Sequence, residues 1–461
     1  MNALYRSVAA LSLIGLVAAC AAPTVPTAAP QTVRETVVVT QIVQGTPETI
    51  VITATPEPAP AGSDTVVIRV GTGDGGEGLS PHQQIIQNYE DAHPDIIAQL
   101  EPVAGRDYYA RLLTQLAAKA APDIMQIGDD AVPSFVEKGA FLPLDECLQE
   151  GGFDPSVYLP GLLTPGQVDG QQYLLPKDYS PLGVYYNKKI FDAAGVAYPE
   201  ADWTWEDLLA TAQQLTRDAD GDGTPEVWGI QLPATWTTGF EYWVAAAGGS
   251  LISEDGTSFV GYMDSPETIR AVQFYADLYN THKVAPPPAD LNAFGGGNSE
   301  FDNGQAAMRL FGIWPQSGML KNPNIDLGVV NPPAGTARAN ILFWGGFGIS
   351  STTQNLKAAC DFLAYYTGEP AAEVWKDWAL PAVTSVAESS GQTTDPIKGV
   401  WIGELNHIVP RAYTYTPYWN ETADPALRTA LETVLLDPTA DVAAVMATAA
   451  QEAQRALDAA R

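Results

Sequence analysis

Most of the chain alternates between apolar runs of two periods, one typical of strands and one typical of helices. Val66 to Val70 is a β-branched run that predicts a strand, and Ile85, Ile86 and Tyr89 then recur at the spacing of one helical face. A second helical stripe begins at Asp107, and the apolar segment APDIMQIGDD predicts a further strand. The order strand, helix, helix, strand predicts a parallel α/β lobe.

The same alternation continues to the C-terminus. The segments GQQYLLP and LGVYYN predict strands, whereas TWEDLL predicts a helix capped by Thr204 with Asp207 at the capping-box position. Another helix is predicted to begin at Ser265, where a proline follows the capping serine, and the final segment ADVAAVMATAAQEAQRALDAA carries an apolar helical stripe. The pattern therefore predicts an α/β fold with room for two or three domains.

The N-terminus has the pattern of an export signal. Ser7 to Ala19 is almost purely apolar, follows a single arginine, and is shorter than the roughly 20 residues of a membrane-spanning helix. Small residues directly before Cys20 resemble a bacterial lipobox, which predicts a signal peptide over residues 1–19 and lipidation of Cys20. The alternative is an ordinary secretory signal with an incidental cysteine. Both interpretations place the mature chain outside the cytoplasm.

Residues 20–63 predict a linker between the anchor and the folded region. The segment is rich in Ala, Pro and Thr, and it contains two similar β-branched pieces, ETVVVT and ETIVIT. Such residues favour extended backbone and proline stiffens it, so that we expect a spacer that holds a domain away from the membrane. A short β-hairpin stalk is the alternative.

Charge and cysteine content narrow the function classes. The 461 residues include 54 acidic residues against 23 Lys and Arg, a net charge of −31, which makes nucleic acid an improbable partner because binding it requires a cationic surface. Two further cysteines, Cys147 and Cys360, would form a disulfide in an oxidising compartment or remain buried free thiols; the sequence leaves both open.

The glycine-rich segment after the first predicted strand has the spacing of a dinucleotide-binding loop. Gly71, Gly73 and Gly76 satisfy G-x-G-x-x-G. A lone fingerprint is weak, and Asp74 and Glu77 would repel a phosphate beside it. We therefore expect an exposed loop at the end of a strand, where α/β sheets bind ligands.

The segment DADGDGTPE resembles part of a calcium-binding loop. Asp218, Asp220, Asp222 and Glu226 take the first, third, fifth and ninth positions of an EF-hand-like loop. The twelfth position is Gly229 rather than the bidentate glutamate, so the alternatives are an incomplete structural calcium site and a plain Asx-turn loop.

Seven segments in one order resemble the family 1 extracellular solute-binding proteins of bacterial ABC importers, the group that includes maltose-binding protein. They are YEDAHPDI, APDIMQIG, VDGQQYLLP, VYYNKKIFDAAGV, WTWEDLLATAQQLT, FDNGQAAMRLFG and WGGFGIS. The resemblance covers the chain from Asp64 onward. It implies a type II periplasmic-binding-protein-like α/β fold with two lobes and a ligand cleft between them, one lobe of residues 64–176 and 344–381 and the other of 177–343 and 382–461.

This resemblance further implies a monomer that closes on its ligand, presents it to a membrane permease and needs no cofactor. Sugars stack their C–H faces on aromatic rings and bind carboxylates and amides through their hydroxyls. The residues expected to bind a carbohydrate are Asp74, Gly75, Asp129, Asp130, Asp178, Tyr179, Trp236, Trp314, Trp344, Gly345 and Arg411. Trp344, flanked by glycine, is expected to be the principal stacking ring.

Two other classes of function remain open. A polyamine or other cationic solute would use the same aromatic rings and acids. A glycoside hydrolase needs only two suitably spaced carboxylates, which a sequence cannot exclude, although the four histidines show no metal-ligand pairing and no G-x-S-x-G segment occurs. A phosphorylated solute is disfavoured by the scarcity of Lys and Arg.

Overall fold

The computed structural model describes two separate parts of the chain. The residues described are 36–43, 46–53, 65–103, 107–145, 147, 154–159, 161–289, 291 and 299–461. The predicted signal peptide, Cys20 and most of the predicted linker lie outside them. Chain contacts divide the molecule into a unit of Met1–Gly62 and a unit of Ser63–Arg461. Within the described ranges, no helix combines the length and the apolar character that a membrane crossing requires.

The N-terminal unit contains one antiparallel hairpin. Strand β1 (Thr36–Val43) pairs along its whole length with β2 (Thr46–Thr53), from Thr36 opposite Thr53 to Val43 opposite Thr46. Strand β1 contains TVVVT of the first β-branched piece of the predicted linker, and β2 contains the whole second piece, ETIVIT. The hairpin that the sequence offered as the alternative to an extended spacer is thus the form that the structure shows for this segment.

The second unit contains all other described elements. Its strands are β3 (Val66–Thr72), β4 (Ile96–Pro102), β5 (Ile124–Gly128), β6 (Gln167–Val168), β7 (Gln171–Gln172), β8 (Leu174–Pro181), β9 (Gly183–Asn187), β10 (Trp228–Gln231), β11 (Ala306–Phe311), β12 (Leu327–Val330), β13 (Leu342–Ile349) and β14 (Leu380–Pro381). Its helices are α1 (Leu79–Ala92), α2 (Asp107–Ala117), α3 (Val132–Glu137), α4 (Lys188–Ala194), α5 (Trp205–Leu215), α6 (Thr237–Ala246), α7 (Pro266–Asn280), α8 (Gln316–Lys321), α9 (Leu356–Thr367), α10 (Glu369–Trp375), α11 (Thr384–Ser389), α12 (Lys398–Gly403), α13 (Trp419–Leu436) and α14 (Val442–Ala460).

Six strands form the first sheet, in the order β14-β8-β13-β5-β3-β4. Strand β3 is parallel to both β4 and β5, as the α/β pattern predicts, whereas β13 is antiparallel to β5 and β8. Ile68, Val70, Ile124 and Ile127 are buried in the core of this sheet, which explains why their strands read as continuous apolar runs. Strand β4, between the first two predicted helices, is an element that the sequence analysis missed.

The second sheet has four strands, in the order β10-β11-β9-β12. Strands β10 and β11 are parallel, and β9 is antiparallel to both of its neighbours. Helix α5 begins at Thr204 with the predicted capping box, and α7 begins after the predicted cap Ser265. The core of this sheet includes Trp205 and Trp243 and extends to the predicted apolar stripe of α14.

Within the described residues, the strands pass from the first sheet to the second between β8 and β9 and return between β12 and β13, which differs from the prediction. Strand β8 remains in the six-stranded sheet up to Pro181, because Pro181 pairs with Leu342 of β13, and β9 of the second sheet begins two residues later. Residues 177–181 therefore belong with the first sheet rather than with the second lobe. Phe343, the predicted last residue of the 177–343 segment, lies inside β13 opposite Ser180. The lobe limits are otherwise still a prediction.

Cys147 and Cys360 form a disulfide, which decides between the two states that the sequence left open. Their Cα atoms are 5.4 Å apart, and 213 positions of sequence separate them. Cys360 lies on α9, and both residues pack against the core of the six-stranded sheet. The bond therefore joins two distant segments of one side of the molecule.

Candidate functional site

Acidic residues follow the carboxyl ends of two parallel strands. Asp74 comes after β3, and Asp129 and Asp130 come directly after β5. Because parallel strands end at the same edge of a sheet, these side chains reach one side of the molecule, where α/β sheets bind ligands. Asp178, on β8, pairs with Gly345 of β13, which in turn pairs with the last residue of β5.

Asp74, His82, Lys177 and Asp178 form one group, here called the acid–lysine cluster. The Lys177 ammonium lies 3.1 Å from a carboxylate oxygen of Asp74 and 3.3 Å from one of Asp178, and His82 Nε2 lies 2.7 Å from Asp74. The Lys177 side chain is only 6% exposed, whereas those of Asp74 and Asp178 are 32% and 23% exposed. The cation is therefore beneath two carboxylates that remain open to solvent.

The pKa values of the two carboxylates in this cluster are shifted in opposite directions. Burial alone would raise the pKa of Asp74, but the Lys177 ammonium and the His82 ring outweigh it and hold that pKa well below its usual range. For Asp178 burial outweighs Lys177, and its pKa is raised. Burial also lowers the pKa of His82, despite the hydrogen bond to Asp74. Asp74 is consequently a permanent anionic acceptor at neutral pH.

Gly345 has a steric role beside Asp178. A Cβ atom at this position would lie 2.8 Å from Asp178 Oδ1, closer than real contacts permit. The group that approaches Gly345 in this structure is a side chain of the protein, and the predicted contact of Gly345 with a ligand stays a prediction. Gly75 is exposed in extended backbone, and its predicted contact with ligand stays a prediction.

Arg411 and Asp129 belong to a second group, the ion cluster, together with Glu241 and Tyr413. Arg411 donates to Asp129 over 3.0 Å from Nη1 and to Glu241 over 3.1 Å from Nη2 and 3.2 Å from Nε. The Tyr413 hydroxyl also donates to Asp129. Arg411 is 3% and Asp129 2% exposed, so the prediction that both bind a sugar directly is wrong. Their polar atoms are engaged with each other, away from solvent.

Asp130 differs from its neighbour Asp129 in being partly exposed. Burial, and then the charge of Asp129, disfavour its ionised form and raise the pKa of Asp130 to about 7. Its main-chain carbonyl accepts a hydrogen bond of 3.0 Å from Asn420 on α13. The first of the two predicted acids is therefore structural, and the second remains a candidate to face a ligand.

Four rings form an aromatic platform: Trp236, Phe311, Trp314 and Phe343. Trp236 and Phe343 stack with ring centroids 4.8 Å apart and an angle of 22° between planes. Trp314 stands edge-on to both, at 5.8 Å from Trp236 and 5.6 Å from Phe343. Its side chain is 41% exposed. The platform thus presents one open indole on a packed base, and the ligand contacts expected of Trp236 and Trp314 stay predictions.

Gly312 explains how Trp314 lies against its own strand end. A Cβ atom at this position would be only 1.9 Å from a carbon of the Trp314 ring. Only glycine leaves room for the indole there. Phe311, the last residue of β11, also contacts the Trp314 ring, with 5.1 Å between the ring centroids.

The prediction that Trp344 is the principal stacking ring is wrong. Its side chain is 2% exposed, and its indole nitrogen donates to the Leu162 carbonyl over 2.8 Å. Tyr179, its partner on β8, is 3% exposed and is also a core residue. Successive side chains of a strand point to opposite faces, so that the ring directed to the platform from β13 is the preceding residue, Phe343. Sequence reasoning missed Phe343, and only the alternation of the strand could have indicated it.

The acidic loop after α5 has the geometry of an Asx-turn and could also hold a cation. Carboxylate oxygens of Asp218, Asp220 and Asp222 all lie within 4.8 Å of one another, and all three residues are exposed. Asp218 accepts from the main-chain nitrogens of Gly221 and Gly223. Glu226 is not part of this group, because it accepts from the Ala219 nitrogen over 2.8 Å.

A cavity of about 290 Å³ adjoins the ion cluster. It shares Glu241 with that cluster, and the platform rings are absent from its described lining. The residues around it are Glu241, Val244, Ala245, Gly248, Gly249, Ser250, Leu251, Ile341, Val409, Pro410 and Tyr415. The cavity is therefore a space distinct from the surface of the platform.

Comparison with known proteins shows the family to which the chain belongs. The model of the family "Bacterial extracellular solute-binding protein" matches residues 73–373. A putative binding protein of Brucella abortus is 25% identical over 272 residues, which are 59% of this chain and 62% of that protein. The diacetylchitobiose binding protein of Streptomyces coelicolor is 27% identical over 241 residues, 51% of this chain and 53% of that protein. The chain thus spans less than two thirds of either relative.

Solved structures match over a larger share of the chain. An ABC substrate-binding protein from Listeria monocytogenes, solved in complex with cycloalternan, superposes with a TM-score of 0.76. It is 27% identical, and the match covers 86% of this chain and 99% of that one. The second unit therefore has the two-lobed, type II binding-protein fold that the sequence predicted.

Proposed function

The chain belongs to the bacterial extracellular solute-binding protein family, and on that premise we propose that it captures a mono- or oligosaccharide outside the cytoplasm for an ABC transporter. One observation carries the choice of ligand: the exposed indole of Trp314 on the aromatic platform. A pyranose presents a C–H face to such a ring. The ligands in the names of the Streptomyces and Listeria relatives, diacetylchitobiose and cycloalternan, are both carbohydrates.

The polar partners that a sugar needs lie on the same face as the platform. Phe343 and Gly345 are two positions apart on β13 and so share a face, about 7 Å from each other. Their partners on β8 are Ser180 and Asp178. Carboxylates accept hydrogen bonds from hydroxyl groups. A ring stacked on Trp314 could therefore direct hydroxyls toward the acid–lysine cluster.

The charges of the site favour a neutral ligand over a phosphorylated one. The carboxylates of Asp74 and Asp178 are partly exposed, whereas the cations nearby are buried and paired. Lys177 is held by both acids, and Arg309 pairs with Asp302 at 3.2 Å with its side chain 12% exposed. A phosphate would have to displace these partners, because binding it requires free cationic donors. An amine would be accepted, so a polyamine remains the second candidate.

Binding measurements with a ligand panel test this proposal. We expect neutral oligosaccharides to raise the melting temperature and to give heat in a titration, and glycerol 3-phosphate to give neither. Asp74→Asn separates the two candidates. For a sugar it removes one hydrogen-bond acceptor, whereas for spermidine it removes an ion pair. If spermidine is the ligand, its affinity for the wild type should also fall with added salt. Binding of glycerol 3-phosphate alone would refute the proposal.

We propose that a ligand is held by closure of the two lobes and that the closed form engages a membrane permease. The end of α3 and the start of α13 already meet. Lys138, directly after α3, pairs with Glu421 at 2.7 Å, and the hydroxyl of Tyr418, directly before α13, donates to Glu137 over 3.0 Å. Such exposed contacts contribute little energy each, so that they can form and break during a hinge movement. A smaller radius of gyration with saturating ligand, measured by X-ray scattering, is expected.

The alternative to binding is hydrolysis of the carbohydrate by the protein itself. The carboxylates of Asp74 and Asp178 are joined through one lysine, and two neighbouring acids are the minimum for glycoside hydrolysis. The family and the structural relatives are binding proteins. Release of reducing sugar by the purified protein, lost in Asp178→Asn, would favour the enzyme.

Anchoring and metal binding complete the proposal. Lipidation of Cys20 would hold a monomeric protein on the bacterial membrane through the linker, and Cys20→Ser should then move it from the membrane fraction to the soluble exported fraction. Binding needs no cofactor. Calcium at Asp218, Asp220 and Asp222 would be structural, since carboxylate oxygens suit that ion.

A further inference from the structure

The aromatic platform is connected to the ion cluster through one ring. The Arg411 guanidinium lies over Phe343 with 4.8 Å between its central carbon and the ring centroid, and Phe343 stacks on Trp236 at 4.8 Å. Trp236 in turn contacts the open Trp314. Arg411, Phe343, Trp236 and Trp314 thus form an unbroken series of contacts from the buried charges to the exposed indole.

Arg411 is held rigidly at the buried end of this series. Glu241 accepts from two of its nitrogens, Asp129 accepts from a third, and the main-chain nitrogen of Ala412 donates to Glu241 over 2.7 Å. Burial raises the pKa of Glu241, while the two acids offset the desolvation of Arg411 and raise its pKa. A planar guanidinium fixed in this way offers a flat surface to an aromatic ring, which an ammonium group cannot do.

We infer that Glu241 and Arg411 are positioning residues of the ligand site: Glu241 orients the Arg411 guanidinium, and the guanidinium fixes Phe343 and, through it, the indoles of the platform. Neither residue contacts the ligand. The inference rests on the proposed function for its role in binding, but the arrangement of the rings can be measured without any ligand. A platform fixed in advance loses less freedom when a sugar stacks on it, which improves affinity.

A purely structural role for the ion cluster is the competing explanation. Buried ion pairs often affect only stability when one partner is removed. The two explanations differ in a local readout: a structural role would change the melting temperature but leave the surroundings of Trp236 and Trp314 unchanged. Fluorine NMR of protein labelled with 5-fluorotryptophan resolves individual indoles, and Trp236→Phe and Trp314→Phe identify the two resonances.

Three variants apply this test in the full chain without ligand. Glu241→Gln removes the charge that orients Arg411, Arg411→Lys keeps a charge but loses the plane, and Glu241→Asp is a milder change in case the others fail to fold. The control is Arg69→Lys, which alters the ion pair between Arg69 of β3 and Glu101 of β4, a pair that includes no residue of the ion cluster or of the platform. We expect the first three to shift the Trp236 and Trp314 resonances and the control to leave them in place.

Affinity for a neutral oligosaccharide is the second readout. We expect Glu241→Gln and Arg411→Lys to weaken it by about tenfold, mainly through the platform, so that neither weakens it further in a Trp314→Ala background. Folded variants whose two resonances do not move would overturn the inference, whatever happens to affinity. If the resonances move but Trp314→Ala binds carbohydrate normally, the packing inference holds and the proposed function of the platform is wrong.

Discussion

Phe343 and Trp344 are consecutive residues of one strand, but the Phe343 ring packs in the aromatic platform and the Trp344 ring packs in the core. Phe343 stacks on Trp236 and lies under Arg411, whereas the Trp344 indole is buried and donates to the Leu162 carbonyl. The alternation of a strand alone produces this division. It separates the surface offered to a ligand from the core that supports it, and it makes the first prediction a comparison of two tryptophans.

Trp314→Ala and Trp344→Ala should have opposite effects. Trp314 is 41% exposed, so its loss should weaken affinity for a neutral oligosaccharide tenfold or more, about 1.4 kcal/mol, with little change in stability. Trp344 is buried, and truncating it should cost about 3–5 kcal/mol of unfolding free energy. Titration and urea denaturation of both variants check this. A Trp314→Ala variant that binds normally would remove the platform from the site.

Asp130→Asn should change the pH dependence of stability. The pKa of Asp130 in the folded protein is about 7, above the ordinary carboxyl value of 3.8, so the folded state binds more protons between these values. The contribution of Asp130 to the unfolding free energy therefore falls as the pH rises from about 4 to about 7. The total loss is at most about 1.4 kcal/mol for each unit by which the pKa is raised. Asparagine does not titrate.

The measurement is the unfolding free energy of Asp130→Asn minus that of the wild type, from urea curves across this range. We expect the difference to grow from about pH 4 to about pH 7 and to level off above. A difference that stays constant with pH would show that Asp130 titrates normally.

The disulfide should stabilise the fold without changing ligand affinity. Closing a loop of 213 residues restricts the unfolded chain, which the entropic treatment values at about 5 kcal/mol, an upper bound for real proteins. The double variant Cys147→Ser, Cys360→Ser should therefore unfold at lower urea and bind its ligand as before. Reductant should lower the stability of the wild type to that of the variant and leave the variant unchanged. Equal stability of oxidised and reduced protein would argue that the bond is dispensable.

Calcium should raise the melting temperature if the loop at Asp218 binds it. The larger ion tolerates an irregular oxygen cage, so magnesium should have less effect. Asp220→Asn and Asp222→Asn should remove the response to calcium, and Asp207→Asn, in the cap of α5, serves as a control outside the loop. No shift with calcium in the wild type would make this segment a simple turn.

Most helices and strands were predictable because local patterns determine them, whereas the two-lobed fold was inferred from the resemblance to a family. The apolar runs, the capping box at Thr204 and the proline after Ser265 agree with the helices and strands that form. Strand β4 was missed because it begins within four residues of the end of α1, with little loop to mark a boundary. The first passage between the sheets was placed too early, because the prolines at 176 and 181 both suggest a break and only strand pairing distinguishes them.

The site was predictable in its residue types but not in its contacts. Asp74 and Trp314 follow strand ends and Asp178 lies within β8, and the sequence named all three as candidates. Arg411 was assigned to the ligand because its partner Glu241 is 170 positions away, and no local pattern reveals that pairing. Lys177 and His82 were missed for the same reason, since their role depends on Asp74, which each reaches from a different element.

The disulfide has a consequence for a chain whose backbone is cut. Every peptide bond between Cys147 and Cys360 lies inside the loop that the bond closes, including all four strands of the second sheet. A protease that cleaves once anywhere in this interval leaves two polypeptides that remain covalently joined. Nicked protein would migrate as one species in a denaturing gel without reductant and as two species with reductant. After unfolding without reductant, the two fragments would still be joined and could refold as a pair.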